Sequence, residues 1–251
     1  MKTRLRISMA RLAVAAAGLF CALSVPAMTP GPTRIIQCPG SDEIRQVPSI
    51  GSGNTFGAQF WTDGYMVAPM LPDFPAITRC TQDGPIFWVA SAKVVGEISP
   101  WGAEAASAPP AWGQAESVRA LRGDEFLEAI AQGLGDSDNK LSYLRRRAWW
   151  DANHARRPRG EPGPPVAESD FAPGSAARAN LEALVASMDE SNPDQLLFKA
   201  EGLRQLARFG EAEKLLQSDK LTDPRMQAFV TAVKARTLLH DARVAKVKTD
   251  R

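Results

Sequence analysis

The hydrophobic period of this chain changes part-way along, and that change limits the fold class more than any single residue does. From Thr33 to Ile98 the apolar residues come in short or alternating runs broken by Gly and Pro, the signature of strands. Phe56, Ala58 and Phe60 alternate with small or polar neighbours. Asp63-Gly64 offers a type I′ turn, and Tyr65 and Val67 return on a second strand. Ile86-Phe87-Trp88-Val89 is a further strand candidate. From residue 123 onward apolar residues recur three and four apart, which is helical spacing. The expectation is α+β: a small antiparallel sheet of three to five strands, followed by an α-helical bundle.

Residues 99–122 are rich in Ala, Pro, Gly and Ser and read as a linker, which Trp101 and Trp112 could pin to a neighbour. Residues 123–155 read as a helical pair. Asp124 caps the first helix and Ser137 or Asp138 the second, which carries Leu141, Leu144 and Ala148. Residues 156–174 are a Pro/Gly-rich loop. Residues 175–242 read as a helical hairpin or bundle. Its starts are marked by Ser175, by Asn192-Pro193 and by Asp223-Pro224, with Met226, Val230, Val233 and Thr237 on one stripe. Arg243 to Arg251 is basic and polar and reads as a frayed end.

Residues 1–27 have the three parts of a cleavable secretory signal. Lys2, Arg4, Arg6 and Arg11 form a positive start, Leu12 to Val25 is apolar, and Val25-Pro26-Ala27 places small residues where a signal peptidase cuts. The alternative is an uncleaved anchor; bulky Phe20 before Cys21 argues against a lipoprotein. The whole chain has 30 Lys and Arg against 28 Asp and Glu. Four of the basic residues belong to the signal, so the mature part carries 26 against 28, a net of −2. The apparent basicity is thus no argument for nucleic acid. No second segment is long and apolar enough to span a membrane, and the expected location is periplasmic or secreted.

The mature part keeps two cysteines, in Cys38-Pro39-Gly40-Ser41 and Cys80-Thr81-Gln82-Asp83. The stretch between them runs from Ser52-Gly53-Asn54-Thr55-Phe56-Gly57 through Trp61-Thr62-Asp63-Gly64 to Pro69-Met70-Leu71-Pro72. It resembles a segment of uncharacterised bacterial proteins with an N-terminal zinc-ribbon-like domain, in which intact Cys-Pro-x-Cys and Cys-x-x-Cys knuckles flank it. Here the second cysteine of each knuckle is replaced, by Ser41 and by Asp83. Two thiolates with a hydroxyl and a carboxylate make a poor structural zinc site. The resemblance therefore implies a degenerate ribbon whose surviving cysteines, brought together by its geometry, form a Cys38–Cys80 disulfide in an oxidising compartment. Closing a loop of roughly forty residues would contribute about 4 kcal/mol on the chain-entropy account. A retained metal site or a redox-active pair are the competing readings.

Ala200, Leu203, Ala212, Leu216 and Pro224 have spacings that resemble a tetratricopeptide unit, with a Gly210 turn between two closely crossing helices. Leu196 replaces the expected bulky aromatic and no second copy follows, so a single helix hairpin is the plainer reading. Arg145-Arg146-Arg147 with Trp149-Trp150, Arg156, Arg157 and Arg159 could form a basic aromatic patch. Consecutive helical residues diverge by about 100°, however, so one patch is not implied. His154 and His240 lack metal-ligand spacing, Asp63 reads as a turn residue, and Ser52 lacks the setting of a nucleophile elbow. Asp136/Asp138 and Asp189/Glu190 are explained as helix-end acids. No catalytic, cofactor or metal residue is assigned. The leading expectation is a non-enzymatic interaction or structural module of the cell envelope, with a protein partner. The alternatives are a hydrolase or metal-dependent enzyme with a site between the halves, and a redox or stress sensor using Cys38 and Cys80.

Overall fold

The computed structural model describes residues 28–102, 107–158 and 163–249; the export signal read over residues 1–27 lies outside them. The protein is α+β, with short antiparallel strands in the first half and helices in the second. The strands are β1 (Thr29–Pro30), β2 (Thr33–Gln37), β3 (Ile44–Val47), β4 (Ile50–Ser52), β5 (Gln59–Trp61), β6 (Met66–Val67), β7 (Ile77–Arg79), β8 (Ile86–Trp88) and β9 (Lys93–Ile98). They form several two- and three-stranded sheets in place of the single small sheet expected. Strands this short cannot bury enough to stand alone, and each sheet leans on a neighbour.

β2 is the centre of a β3-β2-β9 sheet, and Ile35 and Ile36 are both fully buried. Ile36 packs with Val47, Phe87, Val89 and Val118. A register shift on β9 lets Ile35 face Gly96 and Ile36 face Val94. Gly96 is required there: a Cβ would lie 1.9 Å from the Trp112 ring. Trp112 sits on α1 (Pro110–Gln114), so the stretch read as a linker is folded onto the sheet. Val118 continues this by bonding backbone-to-backbone with Gln46, and Val118 and Leu121 are buried. Trp112 pins the stretch as its residue type allowed, Trp101 stays exposed, and small and proline-rich composition concealed the anchors Val118 and Leu121.

The helices are α2 (Gly123–Ala131), α3 (Asp138–His154), α4 (Ala176–Ser187), α5 (Pro193–Gln205), α6 (Phe209–Leu216) and α7 (Gln227–Leu238). Ile77 and Ile86 of the β7–β8 hairpin pack with Leu121, Phe126, Ala129, Leu144 and Ala148. Strands and helices therefore share a core, and Trp88 adds a bond from Nε1 to the Leu134 carbonyl at 3.0 Å. A second core gathers Trp149, Phe171, Leu181, Leu184, Leu203 and Ala212, and a third joins α5 and α6 to α7 through Ala200, Leu216 and Val233.

Local signals held at some helix starts and failed at others. Ser175 and Asn192 accept backbone N–H bonds as N-caps. Asp124 does not cap α2: it lies inside the first turn. Arg122 occupies the cap position, and its N–H bonds the Glu125 carboxylate at 2.9 Å. The turn between α5 and α6 is made by Ala207, at φ 60°, with Arg208 N–H bonding the Leu203 carbonyl at 2.9 Å. Gly210 lies inside α6 and makes no turn. A different close approach, of α5 to α4, occurs at Gly202, where a Cβ would meet Val185 at 2.5 Å.

The basic segment read as frayed is ordered over residues 243–249, its last two residues lying outside the described ones. β10 (Lys246–Val247) pairs antiparallel with β5, Lys246 opposite Trp61 and Val247 opposite Phe60. Val244, Ala245 and Val247 are buried. Three small or β-branched side chains among lysines and arginines suffice once a hairpin edge is available to them.

Candidate functional site: a buried polar clamp

The largest concentration of polar chemistry lies where the β5–β6 hairpin, α3, α5 and the chain terminus meet. The hairpin turn places it. Gly64 N–H bonds the Trp61 carbonyl at 2.8 Å and Trp61 N–H bonds the Tyr65 carbonyl at 2.9 Å. Gly64 has φ 78° while Asp63 does not enter the left-handed region. This is the three-residue type I turn with a glycine bulge, not the type I′ turn expected, which needs positive φ at both central residues. The turn inserts Thr62 and Asp63 inward, and both are buried.

Asp63 meets the end of α3. Arg157 grips its carboxylate with two bonds of 3.1 and 2.9 Å, and Asn153 Nδ2 donates to Oδ2 at 2.9 Å. Trp150 Nε1 donates to the Asp63 carbonyl at 2.8 Å. The Arg157 guanidinium lies 5.1 Å from the Trp61 ring centre and 4.3 Å from that of Tyr65, a cation–π arrangement. Two donors of this group, Trp61 Nε1 and Arg157 Nε, are buried without a partner among the described residues.

Thr62 meets α5. Its hydroxyl donates to Glu201 Oε1 at 2.6 Å, and the same carboxylate accepts from Arg204 at 2.6 and 2.8 Å and from Gln205 at 2.7 Å. Gln205 in turn accepts from Trp149 Nε1 at 2.9 Å and Asn153 at 3.1 Å, which closes the network back to Asp63. Glu201, Arg204 and Gln205 have no solvent exposure. Arg204 also donates to the carbonyls of Asp241 and, at 3.0 Å, of Arg243. Thr62 N–H bonds the Ala245 carbonyl at 2.8 Å, and Ala245 N–H returns a bond to Thr62 Oγ1 at 3.1 Å. Next along, Asp241 is bound by Arg236 and Arg243. Burial would raise the Asp241 carboxyl, but the hydrogen bonds from Arg243 and Arg236 outweigh it and hold it at about 2.

The residues singled out in the sequence are scattered by comparison. The Cys38 and Cys80 sulfurs lie at disulfide distance, with Cα atoms 6.1 Å apart and 42 positions between them in the chain. Ser41 spends its hydroxyl accepting Glu43 N–H at 3.2 Å, and Asp83 is exposed in the following knuckle. His154 ends α3 with its ring edge against Tyr65, 4.9 Å between centres. Burial and then Arg157 lower its pKa, so it is neutral at neutral pH. His240 stacks on Phe209 at 4.7 Å. Ser52 lies at the end of β4 and bonds Thr29. The arginine run diverges: Arg145 reaches Asn180, Arg147 pairs with Asp73, and Arg146 lies over Trp150. Trp149 is buried in the helical core and Trp150 partly buried beside it, and both are anchored by their N–H groups.

Comparison with family models, curated proteins and solved structures finds no match to this chain. The site is therefore argued from its geometry. Among the described residues no group of three or more His, Cys, Asp or Glu side chains could hold a metal ion. Nor do Asp83 and His154 line any of three surface clefts. The first, about 410 Å³, lies between α4, α5 and α6, with Val185, Leu203 and Leu215 as floor. Among its rim charges Lys199 pairs with Glu190 at 2.8 Å and Arg208 with Glu211 at 2.6 Å. The second, about 320 Å³, is formed by Leu197, Phe198, Met226 and Phe229 beside Asp194 and Arg225. The third, about 530 Å³, opens beside the Cys38 knuckle. Sequence inspection missed the clamp because its members come from four separate segments. The local trace it leaves is Asn153 and Arg157, one helical turn apart, and Glu201 with Arg204 and Gln205 at three- and four-residue spacing.

Proposed function

We propose that the protein is an exported, non-enzymatic interaction or structural module of the cell envelope. One observation carries this reading. The acids, amides and arginines that catalysis would recruit bind one another in a largely buried clamp, whereas apolar side chains face the solvent. Phe56 is 78% exposed, and Leu238 and Leu239 are 61% and 58% exposed. Two clefts have apolar floors. Leu238 and Leu239 adjoin along the chain, and adjoining exposed apolar side chains are surface of the kind an association site presents.

The cysteine pair supports the exported part. A disulfide persists in an oxidising compartment, and Cys38 is only 3% exposed, which favours a structural staple over an exchanging redox pair. Among the described residues no helix is long and apolar enough to cross a membrane. Two measurements test the proposal. The chain expressed with its own leader should be recovered outside the cytoplasm, beginning at Met28, with both cysteines refractory to alkylation until reduced. Free thiols there would overturn the disulfide reading, and recovery of the uncut chain in the cytoplasm alone would overturn the export reading. The purified mature chain should show no turnover on envelope polymers; turnover lost on substitution of Asp63 or Glu201 would overturn the non-enzymatic reading.

A further inference from the structure

The dipeptide Asp-Gly occurs at Asp63-Gly64 and again at Asp83-Gly84, and the fold treats the two oppositely. Such a bond carries an intrinsic reaction. The glycine amide nitrogen attacks the aspartate side-chain carboxyl carbon, a C–N bond forms, and the carboxyl oxygen leaves as water. The resulting five-membered succinimide is opened by water at either carbonyl. One opening restores aspartate; the other leaves isoaspartate, with the main chain routed through the side-chain carbon. The balance is one water lost and one regained, with no redox partner. Glycine permits it because no Cβ shields the nitrogen and the backbone can reach the required geometry.

At Asp63 each requirement is denied. The carboxylate is 1% exposed. Arg157, Asn153 and Tyr65 N–H hold its oxygens, so it cannot rotate onto the following nitrogen. Gly64 N–H is committed to the Trp61 carbonyl at 2.8 Å, and the Phe198 ring closes over the glycine, 2.5 Å from where a Cβ would stand. Asp83 is exposed and has no hydrogen-bond or ion-pair partner among the described residues. Its glycine is restrained by a single long bond, Gly84 N–H to the Thr81 carbonyl at 3.3 Å.

We propose that Asp83-Gly84 is a site of spontaneous aspartate isomerisation, while the clamp holds Asp63-Gly64 inert. The product adds a main-chain carbon to the turn joining β7 and β8, just beyond the Arg79–Ile86 pair and close to Cys80. Ageing thus loosens the second cysteine knuckle without breaking the sulfur bond.

The test ages the folded mature chain in heavy-oxygen water at mildly acidic pH, then reduces and digests it with trypsin. The peptides ending at Arg79 and at Lys93 carry the two sites separately. Incorporated oxygen and isoaspartate fragments should appear at Asp83 at least roughly tenfold more than at Asp63, which reacts only through the opening of the clamp. In denaturant the two sites should react alike, and Asp83→Glu should abolish the signal at its position. Equal reaction in the folded protein, no reaction at Asp83, or a difference that survives denaturant would each overturn the proposal.

Discussion

Glu201→Leu removes the carboxylate on which Thr62, Arg204 and Gln205 converge. The larger consequence falls on Arg204, a guanidinium without solvent exposure that loses its counter-charge. Stranding a buried charge in this way costs about 3–5 kcal/mol. The unpaired Thr62 and Gln205 donors add to this, about 1–3 kcal/mol each when left fully unsatisfied, and leucine's apolar volume offsets part. A loss of about 4 kcal/mol is a large share of the 5–15 kcal/mol typical of a domain. Arg204→Met should cost at least as much, because it strands Glu201 and also abandons the Asp241 and Arg243 carbonyls. The double variant leaves no buried charge unpaired, so it should fall short of the summed single losses by about 2 kcal/mol. Urea unfolding followed by tryptophan fluorescence reads this directly, since Trp149 donates into the clamp; the midpoint should drop at unchanged slope. A loss below about 1 kcal/mol for Glu201→Leu, or singles additive within about 0.5 kcal/mol, would refute the clamp as the element that joins the parts.

Ala207 sits at φ 60°, so Ala207→Gly should raise stability by about 0.5–1 kcal/mol in the same assay, against the usual penalty of glycine near a helix. The paired change Cys38→Ser with Cys80→Ser should cost about 2–5 kcal/mol, and reductant should then have no further effect on the melting temperature. Asp241 has a folded pKa of about 2, below its value in the unfolded chain. Its contribution is therefore fully present above the unfolded carboxylate range, about 4, and is lost as pH falls through the folded value. Thermal melts should show an acid limb between those limits that Asp241→Asn shortens.

Parts of the fold are written locally and others are not. The β-then-α order follows from the change of hydrophobic period, and the caps at Ser175 and Asn192 follow from residue type. Errors arose where two local solutions compete. Asp63-Gly64 satisfies either hairpin turn, and the choice is made by what grips Asp63. Gly210 and Ala207 both stand near the α5–α6 turn, and helix packing places the left-handed residue at the alanine. The cysteine pairing is implied by a resemblance and not by local pattern, and the distance between Cys38 and Cys80 agrees with it.

The sequence by itself determined the β-then-α order and the main helix segments, because hydrophobic period and helix caps depend on neighbours along the chain. Tertiary structure decided the rest. It folded Trp112, Val118 and Leu121 onto the sheet, drew the basic terminus in as β10, and assembled Thr62, Asp63, Asn153, Glu201, Arg204 and Gln205 into one network. It also separated two identical Asp-Gly pairs into a locked turn and an open one. The reason is range: a buried hydrogen bond between Thr62 and Glu201 spans 139 positions. Its donor and acceptor acquire their roles only when water has been excluded from both.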